Sequence, residues 1–202
     1  MGITERKERE KGEMRKLILK AAMKLFLEEG YYNVTIRKIA DKIEYSPATI
    51  YLYFKDKDEI LYALHNDGFE ELYKRQQKVL SIKDPGKRLR KQGELYIKFA
   101  FEHPEYYNLM FITRGPARKI VENEEWNAGR RSYEVLKTNV QEVVKAGIFR
   151  NVDVEIAAFA LWSLAHGIVS LILRNRCSMM DQKSLPTIAN EALAFITNSI
   201  GV

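Results

Sequence analysis

Apolar residues recur at helical spacing along nearly the whole chain, and the runs break at glycines, prolines and short polar clusters. Leu17, Ile18, Ala21, Ala22, Leu25 and Phe26 form the first such face, which predicts a helix closed at Gly30. Residues 5–16 ahead of it mix both signs of charge and begin with no apolar face. That pattern fits a frayed, solvated arm, or a basic arm that touches a phosphate or the minor groove. Thr35 can cap a short helix carrying Ile36, Ile39, Ala40 and Ile43. After the brief Glu44-Tyr45 connection, Ser46 supplies a second cap, and Pro47 takes a first helical position where its missing N–H does no harm. The helix it opens is predicted over 47–53. Asp56, with Glu59 three residues on, resembles a capping box ahead of Ile60, Leu61 and Leu64.

The remainder reads as longer helices with short breaks. They are predicted over 58–80, 87–102, 104–113, 118–146, 153–174 and 185–200, interrupted at Lys83-Asp84-Pro85-Gly86, His103-Pro104, Gly115-Pro116 and Gly147. No stretch alternates with strand periodicity and no segment repeats. The expected fold is all-α. Residues 1–57 would form a three-helix helix-turn-helix domain with a basic N-terminal arm at 1–13, and residues 58–202 a helical domain.

Two short helices joined by a tight turn are the helix-turn-helix pattern. Ile36, Ile39, Ala40, Ile43, Ile50 and Phe54 can pack on the Leu17–Phe26 face, which leaves Arg37, Lys38, Ser46, Pro47, Ala48, Thr49, Tyr51 and Tyr53 outside. A short second helix with small side chains suits the major groove, because its backbone can approach base edges closely. Tyrosines and lysines around it can hold phosphates, which positions a protein without reading sequence. Charge points the same way. The chain carries 33 Lys and Arg against 27 Asp and Glu, a net of +6, and residues 1–57 hold 13 against 9.

Other function classes lose ground on composition. No nucleophile–base pair or glycine-rich phosphate loop suggests an enzyme. His65, His103 and His166 are too far apart in sequence for metal-ligand spacing, and no cofactor is expected. The single cysteine, Cys177, fits a reducing cytoplasm. No apolar run reaches the ~18 residues of a membrane span, and Met1-Gly2-Ile3-Thr4 leads into charge rather than a secretory leader.

The run Gly30-Tyr31-Tyr32-Asn33-Val34-Thr35-Ile36-Arg37-Lys38-Ile39-Ala40, followed by Ser46 to Leu61, resembles the TetR family of repressors. The likeness covers roughly residues 12–65, and its Thr-Ile-Tyr-x-Tyr-Phe-x-x-Lys core is highly specific. The resemblance implies that Thr35 and Arg37 start the first helix of the motif, where the family contacts backbone and occasionally bases. It places Pro47, Ala48 and Thr49, after Ser46, at the base-facing start of the recognition helix. Tyr51, Tyr53 and Lys57 match phosphate-contacting positions. Tyr51 has a partly buried role as its alternative, and Thr35 a purely capping one. Glu44 departs from the family, which usually has glycine in this turn. A non-glycine residue at positive φ there would cost roughly 1 kcal/mol.

Further along, Ala100 to Phe111 and Trp162-Ser163-Leu164-Ala165-His166-Gly167 resemble one C-terminal subclass of the same family, known by its Trp-x-x-x-His-Gly motif. The resemblance implies a helical effector-binding and dimerisation domain. Tyr96, Phe99, Tyr106, Tyr107, Met110, Phe111, Trp126, Trp162 and His166 are the candidate pocket walls, since aromatic and thioether side chains offer adaptable apolar contact. Ordinary core is the alternative for each, and a hydrogen-bonded core position for His166. The last two helices carry apolar residues on more than one face, which usually marks an interface. The expected partners are a double-stranded DNA operator, a small apolar or amphipathic effector and a second copy of the chain, with no membrane. A DNA-binding regulator without a small-molecule effector is the competing reading.

Overall fold

A computed structural model describes residues 2–113 and 127–202, and every regular element among the described residues is helical. The helices are α1 (Ile3–Glu29), α2 (Ile36–Lys42), α3 (Pro47–Tyr51), α4 (Lys57–Gln77), α5 (Pro85–Glu102), α6 (Pro104–Tyr107), α7 (Asn127–Lys145), α8 (Val154–Leu173) and α9 (Leu185–Ser199). A π-helical turn, Asn108–Ile112, continues α6, and a 3-10 turn, Lys78–Ser81, follows α4. The all-α expectation holds.

By packing, the described chain divides into two compact units, residues 2–68 with 105–113 and residues 69–104 with 127–202. The boundary expected at 57/58 falls at the very start of α4, and that helix contributes residues to both units.

In the first unit α1 begins at Ile3, well ahead of its first apolar residues, so the charged arm is helix rather than frayed chain. The Glu5 carboxylate accepts from the Gly2 N–H at 3.0 Å, and Arg6–Glu10 and Arg9–Glu13 pair one turn apart at 2.8 and 3.8 Å. Each such pair adds a few tenths of a kcal/mol to residues that are already good helix formers. Gly30, at φ 80°, ends the helix. Ile18, Ala22, Phe26, Val34, Ile39, Ala40, Ile50, Phe54, Ile60, Leu61 and Leu64 close a shared core, with Leu109 of the π turn fully inside it. The Arg15 guanidinium lies 4.3 Å from the centre of the Phe54 ring and covers one edge of this core.

In the second unit α5 packs against α7, α8 and α9. Leu89, Val140, Val143 and Ala158 form part of its interior. A Cβ at Gly93 would sit 2.9 Å from the Leu193 Cδ2, so a larger residue there would force the Leu193 side chain to shift. Polar pairs are buried here as well. Asn139 donates to Gln92 at 2.6 Å and accepts from Arg88 at 2.9 Å, while Ser132 donates to Gln76 at 3.0 Å.

One expectation needs correction. Helix α8 is long and apolar enough, by length and composition, to cross a membrane, although no such run was expected. Ser163, His166, Gly167 and Ser170 interrupt its apolar sequence without lowering its average far. Ala158, Ala165 and Val169 are its only buried residues, while Ile156, Phe159 and Leu171 stand exposed.

Candidate nucleic-acid interface

The turn between α2 and α3 is set by local chemistry. Thr35 accepts from the Lys38 N–H at 3.2 Å and so caps α2, and its hydroxyl proton remains as a donor. Ser46 caps α3 by accepting from the Thr49 N–H at 3.2 Å, and its hydroxyl also lies 3.0 Å from that of Thr49. Pro47 is the first helical residue, as the sequence indicates, but α3 proper closes at Tyr51 and continues as a turn through Leu52 and Tyr53. Between the helices Glu44 sits at φ 60°, in the left-handed region that favours glycine.

Ile50 and Phe54, one turn apart, face inward. Thr35, Arg37, Ser46, Ala48 and Tyr51 are exposed, and Pro47 and Thr49 are half-buried at the start of α3. Helices α2 and α3 pack on each other, with Thr35 and Arg37 at the start of α2 and Ser46 to Thr49 at the start of α3. Of the two tyrosines, Tyr53 packs on the core while Tyr51 is 58% exposed. The partly buried role considered for Tyr51 belongs to Tyr53.

Lys57 is held in a way sequence reasoning did not anticipate. Its Nζ donates to the carbonyl oxygens of Tyr31 and Val34, both at 3.0 Å, and lies 4.3 Å from the centre of the Tyr31 ring. Partial burial lowers its pKa. The neighbouring Asp58 carboxylate accepts from the Tyr31 hydroxyl. These contacts tie the start of α4 to the link between α1 and α2. The capping box is real but offset: Asp56 accepts from the Glu59 N–H at 2.7 Å, whereas Glu59 reaches back to the Lys55 N–H at 2.6 Å.

Sequence reasoning missed Leu52. It is 78% exposed on the outer side of the recognition helix. Counting 3.6 residues per turn from Ile50 and Phe54 places it outward, but a leucine in an apolar run reads by default as core.

The candidate pocket residues separate. Tyr96, Phe99, Trp162 and His166 belong to the second unit, whereas Tyr106, Tyr107, Met110 and Phe111 belong to the first. Trp126 lies outside the described residues. Tyr107 and Phe99 are fully buried. Tyr106 and Met110 crowd Gly68, where a Cβ would come within 2.6 Å of the Met110 sulfur. In the second unit the Tyr96 hydroxyl and His166 Nδ1 share a hydrogen bond of 3.1 Å. Trp162 lies edge-on to Phe159 and Tyr133 and tilted against His166, with centroids 6.0–6.2 Å apart. Burial lowers the His166 pKa.

Residues 18–64 match the family model described as bacterial regulatory proteins, tetR family, and residues 89–192 match a tetracyclin repressor-like C-terminal domain. The chain is 29% identical over 161 residues to the HTH-type transcriptional regulator HbdR of Aromatoleum sp. (strain CIB), covering 76% of this chain and 68% of that one. It is 33% identical over 70 residues to the fatty acid metabolism regulator protein of Bacillus subtilis, covering 35% and 36%. Among solved structures it resembles the TetR-family regulator PfmR of Thermus thermophilus at TM-score 0.68 and 24% identity, over 90% and 97% of the two chains. It also resembles Bacillus subtilis FadR in complex with stearoyl-CoA at TM-score 0.75 and 20% identity, over 90% and 97%.

Proposed function

The chain belongs to the TetR family of DNA-binding transcriptional regulators, which are not enzymes, and from there we propose that it is a cytoplasmic repressor, dimeric on a pseudo-palindromic operator and released by a small amphipathic effector. The capped recognition helix carries this reading. Ser46 fixes its first turn, Ile50 and Phe54 seat it on the core, and Ala48 and Tyr51 stand toward solvent. Ser46, Pro47, Ala48 and Thr49 read bases, while Thr35, Arg37, Tyr51 and Tyr53 hold the backbone. The Lys57 ammonium, already engaged by two carbonyls, acts mainly by holding the head together.

The exposed apolar face of α8, with Phe195 exposed on α9, supports a two-fold interface. Along α8 the small residues Ala160, Ser163 and Gly167 follow one another at helical spacing, and nothing stands within 4 Å of a Cβ built on Gly167. A partner helix can approach closely there. For the effector, the fold shared with a regulator holding stearoyl-CoA supports an amphipathic acyl thioester, with Tyr96, Trp162 and His166 as lining.

Selection of duplexes from a random library by the purified protein, followed by titration of the complex with stearoyl-CoA, tests this function. A preferred palindromic duplex released by the thioester is expected. Sequence-independent binding would sink the repressor reading. A stable complex unmoved by acyl-CoA thioesters would sink the effector and leave the effector-free regulator.

A further inference from the structure

The outer face of the recognition helix is apolar where a DNA-reading surface would ordinarily be polar. Ile50 and Phe54 set the inward direction, and at 100° per residue Ala48 and Leu52 lie roughly 160° and 200° away from Ile50. Leu52 is the C-cap of α3 and keeps helical dihedrals, φ −71° and ψ −18°, so this count extends to it. Ala48 and Leu52 therefore form one outward strip, with Leu52 more exposed than the neighbouring Tyr51.

We propose that Leu52, with Ala48, reads thymine in the operator by packing on its 5-methyl group, an assignment that rests on the DNA-binding reading above. The helix is five residues long, about 7.5 Å, so both of its ends fit within a major groove about 12 Å wide. There the thymine methyl is the apolar feature, while guanine, adenine and cytosine present acceptors and donors. A leucine against those polar edges strips them of water and offers no hydrogen bond in return. The same side chain thus favours thymine and disfavours its alternatives, which polar recognition residues achieve only through hydrogen-bond geometry. Thr49 and Ser46 contribute hydroxyls beside the strip and read neighbouring positions.

The test uses the full chain and a duplex selected in vitro from a random library. Each thymine of the preferred site is replaced in turn by uracil, which removes the methyl and nothing else. One uracil position per half-site should weaken wild-type binding about fourfold, the worth of one buried methyl-sized group. Leu52→Ala should bind the thymine duplex more weakly and lose its sensitivity at that position, whereas Leu52→Met should retain it. Because Leu52 is exposed, Leu52→Ala should melt like the parent, which separates recognition from folding. Uracil sensitivity that survives in Leu52→Ala, or a wild type indifferent to every uracil, overturns the assignment while leaving sequence-specific binding in place. Failure to select any sequence overturns the DNA-binding reading beneath it.

Discussion

Acidification should begin to destabilise this protein as the pH falls below about 6.5, and His65 should be the cause. His65 lies on α4 and is fully buried, its ring stacked near Tyr62 with centroids 6.2 Å apart. Burial pushes its pKa from 6.5 down to about 4, a shift opposed only in part by the neighbouring Asn66 side chain, which favours the protonated ring. The direction of linkage follows. Between pH 6.5 and 4 the unfolded chain binds a proton that the folded chain refuses, so stability falls as pH falls through that window. With these two values the loss is about 2 kcal/mol at pH 5 and about 3 kcal/mol at pH 4. Glu102, Glu155 and Asp181 have lowered pKa values, through Arg75, Lys137 and Ser184 respectively, and their contribution is common to the parent and a His65 variant. Urea unfolding at pH 7.5 and pH 5.0, followed by far-ultraviolet circular dichroism, isolates the histidine when parent and His65→Gln are compared. The parent should lose about 2 kcal/mol more than the variant between the two pH values. Equal losses in both proteins would show that His65 is protonated as easily in the folded chain as in the unfolded one, and the reasoning would fail.

Replacing Lys57 by Met removes two hydrogen bonds to backbone carbonyls, so thermal melts should show about 1–3 kcal/mol of lost stability. The salt dependence of DNA binding should barely change; a slope shallower by about one unit would return this ammonium to a phosphate. Glu44→Gly relieves a left-handed residue and should raise stability by about 0.5–1 kcal/mol, measurable by urea midpoint. A destabilised Glu44→Gly would mean that the side chain contributes more than the backbone strain removes. Finally, the parent should scatter light as about twice 23.5 kDa, and Phe159→Glu with Phe195→Glu should reduce it to the monomer mass without unfolding it. A parent already monomeric at micromolar concentration would remove the two-fold interface.

Features decided within three or four residues were legible in the sequence. Thr35, Ser46 and Asp56 cap the helices they precede because each side-chain oxygen reaches an N–H three positions on, whatever else the chain does. The left-handed Glu44 followed instead from the resemblance, which puts Glu44 where the family usually has glycine. The all-α class followed from periodicity, which burial of one face imposes on every amphipathic helix. Lys57 was different. A lysine beside a recognition helix can serve a phosphate or a carbonyl equally well, and only the fold brings Tyr31 and Val34, 26 and 23 residues away, under its ammonium. Leu109, in the Ala100 to Phe111 stretch whose resemblance was to the C-terminal domain, lies in the core of the first unit, because that core is completed by chain far from it in sequence. The partial burial considered for Tyr51 fell to Tyr53, and Leu52 turned outward, once the one-and-a-half-turn helix was seated on Ile50 and Phe54. Residue type sets what a side chain can do, and local spacing sets where a helix begins. Which of several possible partners a side chain meets is decided by the packing of segments distant in sequence, where no short-range pattern records it.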